Sequence, residues 1–338
     1  MNKLTKIGVS ALCGSLAAVS AAHAGSMSVS GGATATYLMN NKSVTGNPLG
    51  MASNITFSGS GELDNGATVT VNVTNADKST FSTANITYAM DGIGTISIDP
   101  GGGTGIDRYD DKMPTAWEEV DGAGLGMGLQ TVSGAGGSFD IEWAVDEGFL
   151  PDGMKAYLSY NPHPDGSFSN DKASSGATDS GTVDGMGYDI AVEHTGLYDG
   201  LKVFAGYSDI DQVAGSGDRI QKVLGATLSM GSFTVGYQWS KDNHPGLQAT
   251  ATAEYYENNA YAISFLVNDD LSISYGVHES EQFNFAENTT LKGESLQIAY
   301  SMGGATVKLA ESEVDNASYG TGTASDKEGT TLVLSLAF

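Results

Sequence analysis

The 338-residue chain has one cysteine, Cys13, and 7 prolines. A single thiol allows no intrachain disulfide and no paired-cysteine zinc site, and no cysteine nucleophile survives if the segment around Cys13 is removed. Basic residues are scarce as well: 15 Lys and Arg stand against 40 Asp and Glu, a formal net charge of −25. A nucleic-acid binder needs a basic patch to displace counterions from phosphates, so that class is excluded. Past residue 24 no apolar run reaches the ~18–20 residues of a spanning helix, which excludes an α-helical membrane protein. No HExxH, GxSxG, Walker loop or GxGxxG signals catalysis or a nucleotide. The run Gly101-Gly102-Gly103-Thr104-Gly105 lacks the P-loop lysine and reads as loop flexibility.

What is present is glycine, alternation and aromatics. Gly accounts for 46 residues, about double its average share of ~7%. Hydrophobic residues reach 40%, with 15 Tyr, 11 Phe and 3 Trp, which argues against disorder. Residues 1–24 read as an export signal: Lys3 and Lys6 form a basic start, Ile7 to Val19 an apolar stretch, and Ala22-His23-Ala24 a small-residue cleavage site. Removal leaves 25–338 as one domain without cysteine, carrying 13 bases against 40 acids.

Period-2 alternation runs through the rest. Val69, Val71 and Val73 alternate with Thr68, Thr70, Asn72 and Thr74; Phe233, Val235, Tyr237 and Trp239 alternate with Thr234, Gly236, Gln238 and Ser240. About sixteen such segments occur. They centre near 27–37, 54–63, 67–75, 82–90, 93–98, 138–145, 154–160, 185–195, 200–208, 219–230, 232–240, 258–268, 271–279, 292–302, 304–313 and 329–338. Connections alternate short, such as Asp91-Gly92, Gly231 and Gly303, with long, such as 99–137 and 161–184. This pattern predicts an all-β fold: a transmembrane, up-and-down antiparallel barrel of sixteen strands, with tight turns at one end and long loops at the other. One parity is Val, Ile, Leu, Tyr and Phe, and faces lipid; the other is Ser, Thr, Asn, Gln, Asp and Glu, and lines water. Tyr37, Tyr88, Tyr160, Tyr207, Trp239, Tyr261, Tyr300 and Phe338 lie near segment ends, as interfacial girdles do. Strands of roughly 8–11 residues match a tilted crossing.

The opening strand just after the signal segment, the sixteen-segment pattern, the long loop after the fifth segment and the closing strand Leu332-Val333-Leu334-Ser335-Leu336-Ala337-Phe338 together resemble the Gram-negative outer-membrane general porins, of the alphaproteobacterial type. The resemblance implies a barrel, usually a homotrimer, that admits small hydrophilic solutes and sits in outer-membrane lipid. It also implies that Phe338 is the signal read by the barrel-assembly machinery. About sixteen strands leave an aqueous channel, whereas eight are filled by side chains.

In that family the loop after strand five folds inward and narrows the pore. Here that loop is 99–137, and within it Asp107, Asp110, Asp111, Glu118, Glu119 and Asp121 face only Arg108 and Lys112. Carboxylates in a wet neck concentrate cations and repel anions. A solvated acidic lid that never enters the lumen is the competing reading; Trp117 and Met113 favour packing inside. The family usually sets basic residues on the wall opposite the loop. This sequence departs from that: Lys42 and Lys78 fall in loops, and the basic residues of lumen parity are Lys155, Lys202, Arg219 and Lys308. Lys308 is the best placed to face the loop, so a cation preference is expected and a strong transverse field is not. The outward side of strands one to five is free of charge, which suits either a trimer contact or lipid.

His163, His194, His244 and His278 have no metal-ligand spacing and read as isolated surface or lumen residues. Asp209-Ile210-Asp211 opens like an EF-hand but lacks its Gly and Glu. No cofactor is expected beyond weak binding of Ca²⁺ or Mg²⁺ by acidic loops. The alternatives are a solute-specific outer-membrane channel and an exported soluble β-protein or adhesin. A barrel enzyme would need a nucleophile–base set, and none is evident.

Overall fold

A computed structural model describes residues 25–40, 47–77, 83–98, 103–120, 124–135, 140–164, 183–212, 217–243, 253–284 and 287–337. The signal segment 1–24, Lys42, Lys78, Asp121, His244 and Phe338 lie outside the described residues.

Sixteen strands form one closed sheet. They are β1 Met27–Asn40, β2 Leu49–Glu62, β3 Thr68–Ala76, β4 Thr83–Met90, β5 Gly94–Ile98, β6 Ile141–Val145, β7 Met154–Asn161 and β8 Val183–Thr195. The second half comprises β9 Leu201–Gln212, β10 Arg219–Met230, β11 Phe233–Asn243, β12 Tyr255–Asn268, β13 Leu271–Phe283, β14 Thr289–Met302, β15 Ala305–Asp315 and β16 Lys327–Ala337. Each strand pairs antiparallel with its sequence neighbours, and β1 closes on β16 from Gly32 opposite Ala337 to Asn40 opposite Gly329. Closure leaves no edge strand to template aggregation. At the short-turn end Gly231 (φ +61°) and Gly303 (φ +62°) supply the left-handed residue that tight hairpins require.

The period-2 pattern becomes two surfaces. Outward positions include Ile55, Phe57, Val71, Ile86, Leu158, Leu224, Ile263, Leu296, Leu332 and Leu334, all exposed. Tyr37, Tyr160, Tyr261 and Tyr300 are exposed on the same side. An apolar band of this extent suits hydrocarbon rather than water.

Two expectations change in detail. Strand lengths run from 5 residues in β5 to 14 in β12, wider than the 8–11 expected. The extra residues lie at the long-loop end, where β11 continues to Asn243, β12 starts at Tyr255 and β13 runs to Phe283. There the outward side carries Lys241, Glu257 and Glu281, opposite one another in register, and Glu279, opposite Asn259. With polar residues on both surfaces the apolar period fades while the ladder continues.

Candidate functional site

Five residues of β5 are enough to reach the level at which the chain turns into the barrel. A 3-10 turn, Gly105–Tyr109, opens the described part of the loop and packs on β8 and β9. From there the chain runs round the inner wall. The backbone N–H of Lys112 donates to Gln238 on β11 at 3.1 Å, that of Ala116 to Ser274 on β13 at 2.8 Å, and that of Glu118 to Gln297 on β14 at 3.2 Å. Near the turn of the loop, Lys327 on β16 donates to the carbonyls of Leu125 and Gly126. The return leg retraces the wall. Asn258 on β12 donates to the Gln130 carbonyl at 3.1 Å, Gln221 on β10 accepts from Gly134 at 2.6 Å, and Asp189 on β8 accepts from Ala135 at 2.9 Å. Buried backbone groups need partners, and here polar side chains of the lumen parity provide them.

Small residues make room for it. A Cβ on Gly206 would come within 2.6 Å of Ile106, one on Gly236 within 2.6 Å of Pro114, and one on Gly276 within 2.8 Å of Val120. Above this groove lie two apolar clusters. Ile106, Tyr109 and Val132 pack with Ala191, Phe204 and Val223; Val120, Leu125 and Met127 pack with Leu291, Val314 and Ala317. Tyr109 stacks on Phe204 at 4.8 Å between centroids. Burial pushes the Tyr109 hydroxyl far above its ordinary titration range.

The charged residues of the loop are not equivalent. Asp110 and Lys112 are exposed; Asp107, Glu118 and Glu119 are half-buried. Asp110 borders the lumen yet is crowded by protein, and this partial desolvation pushes its carboxyl up to about 6, with Asp107, Asp111 and Glu119 adding repulsion. Two residues expected at the water surface are elsewhere. Asp111 is 7% exposed, pinned beneath the loop by the Met113 N–H at 2.9 Å. Arg108 donates to Glu142 on β6 and lies 3.5 Å from the centroid of Tyr157, so its charge is cancelled in the wall. His278 corrects a third expectation: it is wholly buried, because the loop covers β13 where its side chain points inward.

On the wall, Lys202 pairs with Glu193 at 2.6 Å and Lys155 approaches the same carboxylate at 4.0 Å. Arg219 grips Asp242 with two hydrogen bonds, at 3.0 and 2.7 Å. No described carboxylate pairs with Lys308; its Nζ lies 5.4 Å from the Trp117 ring of the loop. The inner side of β1–β5 carries no base, and its one acid is Glu62 at the end of β2. Thr56 bonds Thr74 at 2.9 Å, Ser58 donates to Asn72 at 2.6 Å and Asn72 to Asn85 at 2.8 Å. Among the described residues no group of three or more His, Cys, Asp or Glu is placed to hold a metal ion.

Sequence reasoning missed the anchors. Asp189, Glu142, Gln221 and Gln238 carry no signal beyond the polar parity that lines water. It also missed a strap after β15, where Ser318 donates to the Met127 carbonyl at 2.7 Å and the Tyr319 hydroxyl accepts from Gln130 at 3.0 Å. Asn316, Ser318 and Tyr319 all have positive φ, between 54° and 57°, an uncommon backbone for such residues. One signal was available: Phe204 and Ile210 are apolar on the parity that also carries Lys202 and Ser208, which marks a lumen wall that something covers.

No family model and no curated protein matches this sequence. Solved structures do match. A Salmonella typhi OmpF in complex with daunomycin is 12% identical; the match covers 93% of this chain and 98% of that one, with a TM-score of 0.65. A refined porin structure is 14% identical over 93% and 100% of the two chains, with a TM-score of 0.64. A mutant of the Rh. blastica porin is 18% identical over 93% and 100%, with a TM-score of 0.57. At these identities the likeness is one of fold: this chain has the barrel architecture of these porins.

Proposed function

We propose that the chain is a Gram-negative outer-membrane porin, a water-filled channel for passive diffusion of small hydrophilic solutes and ions, with a preference for cations. The observation that carries this reading is the loop seated against the inner wall of a closed sixteen-strand barrel, presenting Asp110 to the lumen. Flux through such a neck follows the solute gradient and needs no catalytic group or cofactor. Width and charge at the neck set the selectivity. On the wall Arg219 is matched by Asp242, and Lys155 and Lys202 share Glu193; on the loop exposed Asp110 and half-buried Asp107, Glu118 and Glu119 outnumber Lys112, so the loop acids set the sign of the local field. Ca²⁺ or Mg²⁺ would associate weakly with acidic outer loops. On this reading 1–24 directs export, Phe338 is presented to the barrel-assembly machinery, and the charge-free outer side of β1–β5 packs in a homotrimer.

The test is planar-bilayer recording of detergent-extracted protein under a salt gradient. Closures in threes with a cation-selective reversal potential are expected. Folded protein that never conducts would overturn the channel, and anion selectivity would overturn the role of the loop. Saturable block by one solute would shift the assignment to a solute-specific channel.

A further inference from the structure

The strongest unexplained contact beneath the loop joins two titratable groups that conduction does not use. His278 sits mid-way along β13 at 0% exposure, and neither ring nitrogen has a protein hydrogen-bond partner. Facing it is Asp111 of the loop. One Asp111 oxygen accepts from Met113; the other has no hydrogen-bond partner in the protein and lies 3.8 Å from His278 Nδ1. That separation is too long for a hydrogen bond and short enough to become one if the loop moves by about an ångström.

We infer that His278 is a positioning residue for the neck: on gaining a proton it draws Asp111 onto the wall and seats the outbound leg of the loop. The inference rests on the pore reading for its functional consequence. A protonated imidazole donates from both nitrogens, and a charge-assisted bond to a carboxylate is short and strong. Among the described residues, the strands around the ring give the proton no charged partner. On β12 the inward residues around His278 are Asn258, Ala260 and Ala262; on β14 they are Leu291, Gly293 and Ser295. On β13 itself they are Gly276 and Ser280, the latter bonded to the Tyr319 hydroxyl at 2.7 Å. Glu279 and Lys292 belong to the outward parity. The loop supplies Asp111, then Asp110 and Glu119, the two carboxylates that also repel one another electrostatically. Coupling to the neck is direct, because the Asp111 N–H donates to the Asp110 carboxylate at 2.6 Å. The charge-assisted bond exists only while the imidazole carries its second proton, so acid favours the seat.

Single-channel recording of the full-length protein at pH 8 and pH 5 tests this, in a D110N background that silences titration of Asp110. The readout is the frequency of brief closures, each protein compared with itself. A charge-assisted bond shifts the seated-to-unseated ratio by about tenfold, so closures should be about tenfold rarer at pH 5. The variants H278F and D111N should each abolish that step, and their combination should add nothing. A step that persists in H278F overturns the inference, as does its absence from a conducting D110N parent. Should H278F not fold, H278N tests the same loss of charge. If the folded protein does not conduct, the pore reading fails, and the ring resonance that the His278 variant removes then decides the seat. Titration of that resonance moving in D111N supports the contact; no movement overturns it.

Discussion

Asp189 Oδ1 accepts the backbone N–H of Ala135 at 2.9 Å, at the point where the loop leaves the inner wall. Its Oδ2 accepts from Ile106 at 3.1 Å, where the same loop arrives. One carboxylate on β8 therefore closes both legs. Asp189→Ala removes both acceptors and leaves two buried N–H groups unpaired, at about 1–3 kcal/mol each. The barrel, held by its own ladder, should survive; the loop should not stay seated. Faster tryptic cleavage at Arg108 or Lys112, with heat-modifiable gel mobility unchanged, is the expected result. Asp189→Asn keeps one acceptor and should fall between the variant and the parent.

Acid should weaken the cation preference in a defined window. The Asp110 carboxyl is pushed up to about 6 by partial desolvation, so it is charged at pH 7.5 and largely neutral at pH 5. A raised carboxyl value means that the charge is lost as pH falls through about 6, well above the ordinary aspartate range near ~3.9. The reversal potential under a salt gradient should therefore move toward zero between pH 7 and 5. Asp110→Asn should lie near the acid value at pH 7.5 and show little further change.

The barrel was legible because each strand half-buries one parity, and period 2 survives in sequence wherever lipid meets one surface. Val69, Val71 and Val73 announce β3 for that reason. Legibility stops where lipid does: Lys241, Glu257 and Glu281 continue their strands with polar residues on both surfaces. The long loop was legible by length and by its acids, but not their fates. Asp110 and Asp111 are neighbours in sequence, yet one borders water and the other lies under the loop facing His278. That difference is set by glycines on other strands, Gly236 and Gly276, whose missing side chains admit Pro114 and Val120. No local pattern encodes it.

Filling the groove should displace the loop without opening the barrel. Gly276 lies on the inner side of β13, and an added Cβ would meet Val120 at 2.8 Å. Gly276→Val adds two further methyl groups in a space already occupied, and overpacking of this kind costs about 1–3 kcal/mol. The loop is the softer partner, because β13 is bonded on both edges. It should lift toward the lumen, and the main conductance step should fall. An unchanged step would mean that the wall gives way instead.

Lys308 and Arg108 should separate charge from anchoring. Arg108 is cancelled by Glu142 in the wall. Replacing both partners, Arg108→Gln with Glu142→Gln, changes no net charge and should leave ion selectivity nearly unchanged while loosening the loop, because the charge-assisted bond between them is lost. Lys308 pairs with no described carboxylate and stands beside Trp117. Its charge acts on permeating ions through water: at about 7 Å that is roughly 0.6 kcal/mol, a factor of two to three in a permeability ratio. Lys308→Gln should raise cation preference by about that factor at 0.01 M salt, where the screening length is about 30 Å. At 1 M salt the screening length shrinks to about 3 Å, and the gain should largely vanish. A gain that survives 1 M salt would mean that Lys308 acts by shaping the neck against Trp117 rather than by its field.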